Sequence, residues 1–227
     1  GGEFTQIGVV AATRIARRQS GQWYALGGGI AGTVLDIAAY DGEIIAAGEF
    51  AGCVAAWDGA EWHGLGAGLG PATVGIAARS LVVHDGSLYV TGSFITSGGA
   101  PAPLLARWDG ATWHAALPTV LGGAVPTVNV YQGALVIAGS NPNGSASALF
   151  PLRWNGSAWS PLLPGHNGPV FAFTEYGGRL VAAGGFTVSA SCATCTSSTA
   201  PAATPGPPAS SRFSKRRCSC SKTLSGR

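Results

Sequence analysis

Glycine-containing turns recur along this chain at near-constant spacing, and that period constrains the fold more than any other feature. Two series interleave. The first is Ser20-Gly21, Asp58-Gly59, Asp109-Gly110 and Asn155-Gly156; the second is Asp41-Gly42, Asp85-Gly86, Gln132-Gly133 and Gly177-Gly178. The second-series glycines stand at 42, 86, 133 and 178, so successive spacings are 44, 47 and 45. Apolar runs separate the turns, as at residues 54–57, 60–65, 76–83 and 87–92. An Asp-Gly pair between such runs reads as a two-residue hairpin loop, because both central positions of a type I′ turn need positive φ. Each unit then reads as one four-stranded antiparallel meander: first hairpin, Gly-rich connection, second hairpin.

A period of roughly 40–50 residues with four strands per period predicts the blade of a β-propeller. The expected fold is therefore all-β, a partial β-propeller of four four-stranded antiparallel blades over residues 1–187, followed by a disordered tail over 188–227. A two-sheet sandwich would explain strands but not the fixed period. The runs 44–48, 88–92, 135–139 and 180–184 are continuously apolar, which implies that both faces of these strands are covered. Gly48, Gly92, Gly139 and Gly184 each follow the second-series turn glycine by six residues, and Phe50, Phe94 and Phe186 follow it by eight, with Asn141 in the third unit. Phe4 fits the same position, so the chain is expected to open on the remnant of a preceding unit. The second unit has the shortest leading loop: nine residues separate Phe50 from Gly59, against 17 from Phe4 to Gly21 and 16 from Phe94 to Gly110.

Composition separates the tail from the repeats. Among 227 residues, 36 are Gly and only 10% are charged, which suits a repeat protein with many tight turns. The formal charge of +3 hides an asymmetry. Residues 188–227 carry six of the 13 basic residues and no acid, leaving seven arginines against ten acids in the repeats. The repeats thus carry about −3 and offer no basic footprint for nucleic acid. Cys53 alone lies in the repeats; Cys192, Cys195, Cys218 and Cys220 lie in the tail. Ser, Thr, Ala and Pro dominate residues 189–211, a composition that predicts disorder. The tail's readings are a zinc site from the four cysteines, a basic patch at 212–222, or a product of a shifted reading frame; the abrupt change after Val188 favours the last. No stretch approaches the about 18 apolar residues of a membrane span. The chain opens on Gly1 and contains no Met, so its natural start and any signal segment are expected upstream.

Tryptophans flank the first-series turns at a spacing of five: Trp57 and Trp62, Trp108 and Trp113, Trp154 and Trp159. With a two-residue loop, Trp57 would oppose Ala60, and Trp62 would meet it as a same-face diagonal. In the first unit Arg18 takes the leading place beside Trp23, where a cation–π contact can substitute. Such pairs serve either as a stacking platform for a sugar or base, or as packing between blades. Packing is the reading adopted, because the pair follows the repeat and a ligand site usually breaks it.

The running pattern is carried by Ile15-Ala16-Arg17, Ala106-Arg107-Trp108-Asp109-Gly110 and residues 81–94. It resembles the kelch-like, Rax2-like propeller repeats of secreted bacterial proteins and of a fungal cortical polarity marker. The resemblance covers residues 1–187 and none of 188–227. It implies a propeller and it implies no activity, since such repeats serve unrelated roles; the location expected is extracellular or at the cell surface. The Trp-Asp dipeptide is not a WD40 signature, for the Gly-His partner is missing. Asp109-Gly110-Ala111-Thr112-Trp113 is one residue short of a sialidase Asp-box.

No residue is assigned to catalysis, to a cofactor or to a metal. His63 and His114 occupy equivalent places after the second Trp and read as solvated strand histidines, since a metal site needs three or four convergent ligands. His84 and His166 read as surface residues. Asp41, Asp58, Asp85 and Asp109 read as turn residues capping their own backbone. No calcium loop, nucleophile elbow or phosphate loop occurs, and Cys53 alone does not make a copper-radical site. The function expected is a non-catalytic binding or structural module of a larger secreted or cell-surface protein, with a protein or carbohydrate ligand and no nucleic acid. The rival is part of a propeller hydrolase or lyase whose catalytic residues lie outside this chain; a fungal-type polarity scaffold is a third reading.

Overall fold

The computed structural model describes residues 1–70, 75–117, 124–140, 151–162, 169–185 and 218–219. Every regular element among them is a strand. The chain divides into two compact units, Gly1–Asn129 and Val130–Arg227.

The first unit opens with two small hairpins, β1 (Gln6–Ile7) with β2 (Val10–Ala11), and β3 (Ala16–Gln19) with β4 (Gln22–Ala25). A four-stranded sheet follows: β5 (Thr33–Tyr40), β6 (Glu43–Glu49), β7 (Val54–Trp57) and β8 (Trp62–Gly64), in that order. The short strand β9 (Leu69–Gly70) precedes β10 (Ala78–His84) and β11 (Ser87–Gly92). Next come β12 (Thr96–Ser97) and β13 (Ala100–Pro101), then β14 (Leu105–Trp108) and β15 (Trp113–Ala115). The second large sheet runs β10-β11-β14-β15, and β13-β12-β9 make a three-stranded ribbon beside it. The division between units falls inside β16 (Ala124–Tyr131). With β17 (Ala134–Ser140), β18 (Leu152–Trp154) and β19 (Trp159–Pro161) it forms the third large sheet. The second unit ends with β20 (Val170–Tyr176), β21 (Arg179–Gly184) and β22 (Cys218–Ser219), hydrogen-bonded in that order. The expected disorder of 188–227 falls outside the described residues except at Cys218–Ser219, which depart from it by pairing with β21.

The sheets do not follow the units expected from the sequence. The first-series hairpin β7-β8 joins the second-series hairpin before it, β5-β6, and not β10-β11 after it. In the first large sheet loop length is the physical reason. Only Phe50, Ala51, Gly52 and Cys53 separate β6 from β7, and Gly48 N–H donates to Cys53 C=O at 2.9 Å. So short a link leaves antiparallel pairing as the natural outcome. From β8 to β10 the chain instead crosses residues 65–77. Each large sheet is thus the second hairpin of one unit followed by the first hairpin of the next.

The two turn series also differ. In the second series the turn is the expected two-residue type: Tyr40 pairs with Glu43, and Asp41 and Gly42 take φ of 50° and 82°. Asp85-Gly86, Gln132-Gly133 and Gly177-Gly178 repeat this conformation, as does Ser20-Gly21 of the first series. The other first-series turns are four residues long. Trp57 pairs directly with Trp62, Trp108 with Trp113 and Trp154 with Trp159, which corrects the expected diagonal. Here the aspartate side chain closes the loop. Asp58 Oδ1 accepts from Ala60 N–H at 2.7 Å and Glu61 N–H at 2.8 Å. Asp109 does the same with Ala111 and Thr112, and Asn155 with Ser157 and Ala158. The expected backbone capping therefore describes Asp58 and Asp109, whereas Asp41 and Asp85 serve by adopting the left-handed conformation.

Two backbone devices explain the recurring Gly and Phe. A β-bulge interrupts the register between Val34 and Asp36, between Ala78 and Ser80, and between Val170 and Ala172. Opposite each stands Gly48, Gly92 or Gly184. A Cβ on these glycines would overlap the carbonyl oxygen of Thr33, Ala77 or Pro169, so the site admits only Gly. The second device lies where the chain enters a first-series hairpin. Arg14, Cys53 and Leu104 take φ of 68°, 60° and 70°. Their amides donate to the carbonyls of Phe4, Phe50 and Phe94 at 2.8, 2.9 and 3.2 Å. Phe4 thus occupies the same structural place as Phe50 and Phe94.

Burial follows the strands expected to be covered on both faces. Residues 45–48, 90 and 135–139 are buried, as are Leu88 and Phe94. One cluster joins Ile45, Val54 and Ala56 of the first large sheet to Leu81, Leu88, Val90 and Trp108 of the second. Strand β21 departs from this: of its residues only Leu180 is buried.

Candidate functional site

The groups best suited to meet a ligand are the Trp pairs and the carboxylate–histidine contacts beside them. The paired rings lie 5.5, 5.2 and 5.4 Å apart, with interplanar angles of 49°, 50° and 47°. Tilted aromatic pairs at such distances attract one another. Trp108 and Trp113 are buried, while Trp57, Trp62, Trp154 and Trp159 are half-buried.

Within the first unit these rings engage the preceding repeat. Trp62 Nε1 donates to Leu26 C=O at 3.1 Å, and Trp113 Nε1 donates to Leu65 C=O at 2.8 Å. The leading rings sit on the next residue: a Cβ on Gly27 would lie 2.7 Å from Trp57 Cζ3, and one on Gly66 would lie 3.0 Å from Trp108 Cζ3. Each pair therefore clamps a Leu-Gly step one repeat upstream, and the indole N–H has found the partner that a buried indole needs. Arg18 stands opposite Trp23 as expected, but the guanidinium stacked on a ring is that of Arg17, 5.5 Å from the centre of Tyr24. Arg18 Nε instead donates to Gly21 C=O at 3.4 Å.

Further contacts between successive large sheets recur. Asp36 Oδ2 accepts from Leu81 N–H at 2.7 Å, and Ser80 Oγ, one repeat later, donates to Val128 C=O at 3.3 Å. Tyr40 OH donates to Gly86 C=O at 3.2 Å, and Tyr131 OH to Gly178 C=O at 3.4 Å. Burial raises the Tyr40 phenol, with the nearby Asp41 and Asp109 charges adding to it.

The histidines expected to be solvated strand residues are exposed, and each has a carboxylate partner the sequence did not reveal. His63 Nε2 lies 3.0 Å from Glu43 Oε1. That contact, and the carbonyl of Gly64, hold the imidazole above its usual value. His114 Nε2 lies 2.6 Å from Asp109 Oδ2 and 3.0 Å from Thr112 Oγ1. Thr, His and Asp side by side suggest a nucleophile relay. A relay, however, uses opposite ring nitrogens for base and orienting carboxylate, and here one nitrogen makes both contacts. Asp58 and Asp109 are held below the usual carboxylate range, chiefly by the amides of Glu61 and Ala60 and of Thr112 and Ala111. His84 is less exposed than a surface residue, its side chain 13% accessible beside Asp85 and against the ring of Tyr89. His166 lies outside the described residues.

Cys53 is buried, and desolvation raises its thiol. Among the described residues no three His, Cys, Asp or Glu side chains gather as metal ligands, and no helix is long and apolar enough to cross a membrane. The four tail cysteines lie outside the residues whose side chains are described. Neither protein-family models nor curated proteins give a match to this chain.

Proposed function

We propose that this chain is a non-catalytic binding or structural β-propeller module of a larger secreted or cell-surface protein, built from kelch-like, Rax2-like repeats. The observation that carries the reading is the use to which its most ligand-like groups are put. The Trp pairs of the first unit are spent on Leu26-Gly27 and Leu65-Gly66, and Asp58 and Asp109 on their own loops. Side chains so engaged are scaffold, and a protein or carbohydrate ligand would meet the loops. The propeller arrangement is supported by recurrence: Tyr40 to Gly86 and Tyr131 to Gly178 are equivalent contacts at two places in the repeat. A contact repeated from sheet to sheet is what radial stacking requires.

Two experiments test this. Glycosidase, esterase and lyase substrates should turn over at background rates; turnover abolished by one substitution within residues 5–187 would make the chain an enzyme. An experimental structure of the intact protein should relate successive four-stranded sheets by a constant rotation about one axis, and a two-layer sandwich would overturn the propeller.

A further inference from the structure

Asn155 differs from its counterparts in one heavy atom. Asp58 and Asp109 close the same first-series turn with a carboxylate, whereas the third large sheet closes it with a carboxamide. Asn155 also opens the triplet Asn155-Gly156-Ser157, the pattern to which N-linked oligosaccharides are attached. We propose that Asn155 is the acceptor of an N-linked glycan, carried on the turn between β18 and β19. The inference rests on the reading of this chain as a secreted module, because such triplets are modified in proteins that enter the secretory route.

The turn presents the atom that the attachment needs. Asn155, Gly156, Ser157 and Ala158 are all exposed, and a Cβ built on Gly156 would meet nothing within 4 Å. Three donors converge on Asn155 Oδ1: Ser157 N–H at 3.0 Å, Ser157 Oγ at 3.0 Å and Ala158 N–H at 2.8 Å. Two of them are backbone amides, which only donate, so the carboxamide oxygen faces the loop. Nδ2, the other terminal atom, is turned away from those amides. A sugar added to Nδ2 leaves all three bonds to Oδ1 in place, so the loop that Asn155 closes survives the modification. Asn143-Gly144-Ser145 is the other such triplet in the sequence and lies outside the described residues.

The donor is an oligosaccharide carried on a lipid diphosphate. Asn155 Nδ2 bonds to the anomeric carbon of the first sugar, and the bond from that carbon to the diphosphate oxygen breaks. The lipid diphosphate leaves with the electron pair, the Nδ2 proton passes to a base of the transferring enzyme, and nothing is oxidised or reduced. The carboxylates of Asp58 and Asp109 offer no such nitrogen, so among these three turns the glycan is confined to one. A bulky, solvated group there shields that end of the third large sheet from other proteins.

Translation of the full chain behind a cleavable secretory leader, in the presence of endoplasmic-reticulum microsomes, tests the proposal. Leader cleavage reports translocation. The expected product gains mass that a peptide N-glycosidase removes, and peptide mass spectrometry then finds an aspartate in place of Asn155. Asn155→Asp should lose this modification and keep the circular dichroism spectrum, since Asp58 and Asp109 close the same loop. Ser157→Ala should also lose it, whereas Ser157→Thr should keep it. Each variant is read at the peptide that contains position 155, apart from Asn143. An unmodified Asn155 on a translocated chain, or a Ser157→Ala chain modified as fully as the wild type, overturns the proposal and leaves the secreted module standing. A natural chain found only inside the cells that make it overturns the secreted module, and the proposal with it.

Discussion

The two hairpin series use nearly the same dipeptide and hold it by different means. At Asp58-Gly59 and Asp109-Gly110 the aspartate side chain accepts two backbone amides, and a Trp pair closes the loop mouth. At Asp41-Gly42 and Asp85-Gly86 both residues turn left-handed, and the backbone alone closes the turn. Three turns of the first series are fastened by side chains, while Ser20-Gly21 and the whole second series are held by conformation. Trp57 and Trp62 are the pair nearest their turn, across four residues, whereas Tyr40 and Glu43 meet across two.

The sharpest way to break this contrast is to remove a ring. Trp108→Ala should cost about 3–5 kcal/mol, the scale for deleting a buried aromatic, measured by chemical denaturation. Trp57→Ala should cost less, because Trp57 is only half-buried. Equal losses would mean that the clamp on the preceding Leu-Gly step, and not burial, sets the energy.

Next in size is a change to the backbone-held series. Gly92→Ala forces a Cβ against Ala77 C=O and should destabilise by about 1–3 kcal/mol, as overpacking does. Gly86→Ala meets open space but keeps φ at 70° and should cost about 1 kcal/mol. A reversed order would show that the turn, and not the close approach at the bulge, holds these hairpins.

Smaller still is the loss of a loop acceptor. Asn155→Ala removes two amide contacts at the surface and should cost about 1 kcal/mol, read from thermal unfolding. The smallest effect concerns acid. The folded-state pKa of Asp58 and Asp109 is depressed, so their contribution is present above the unfolded value of 3.8 and is lost as pH falls through the lower folded value. Substituting both by Asn keeps the loop, as Asn155 demonstrates, and should narrow the gap in melting temperature between pH 6 and pH 3 (about two units above and one below the usual carboxylate value). An unchanged gap would place the acid sensitivity elsewhere.

Much of this was legible in the sequence for a simple reason: turns and strand cores are local. The all-β class, the strand positions and the equivalence of Phe4 with Phe50 and Phe94 come directly from spacing. Sheet membership was not read correctly, although its signal was present. The nine residues between Phe50 and Gly59 leave too little chain for anything but direct pairing of β6 with β7. The Trp register was misread because Asp-Gly suits both turn types, and only the side-chain bonds of Asp58 separate them. The partners of His63 and His114 were not read at all. Glu43 on β6 reaches His63 on β8 across the intervening strand β7, a proximity that no local spacing encodes.

The clasp from the amides of Arg14, Cys53 and Leu104 to the carbonyls of Phe4, Phe50 and Phe94 has a consequence for how such a chain can change. It closes a step of three residues in one repeat and of ten in two others, yet the strands on either side keep their pairing. Closing the longer segment costs only about 1 kcal/mol more in chain entropy, because that cost grows with the logarithm of length. The clasp works as a drawstring: whatever is gathered outside it, the sheet within feels the same two ends. Surface segments of different length and chemistry can be exchanged at this point, repeat by repeat, while the scaffold stays constant.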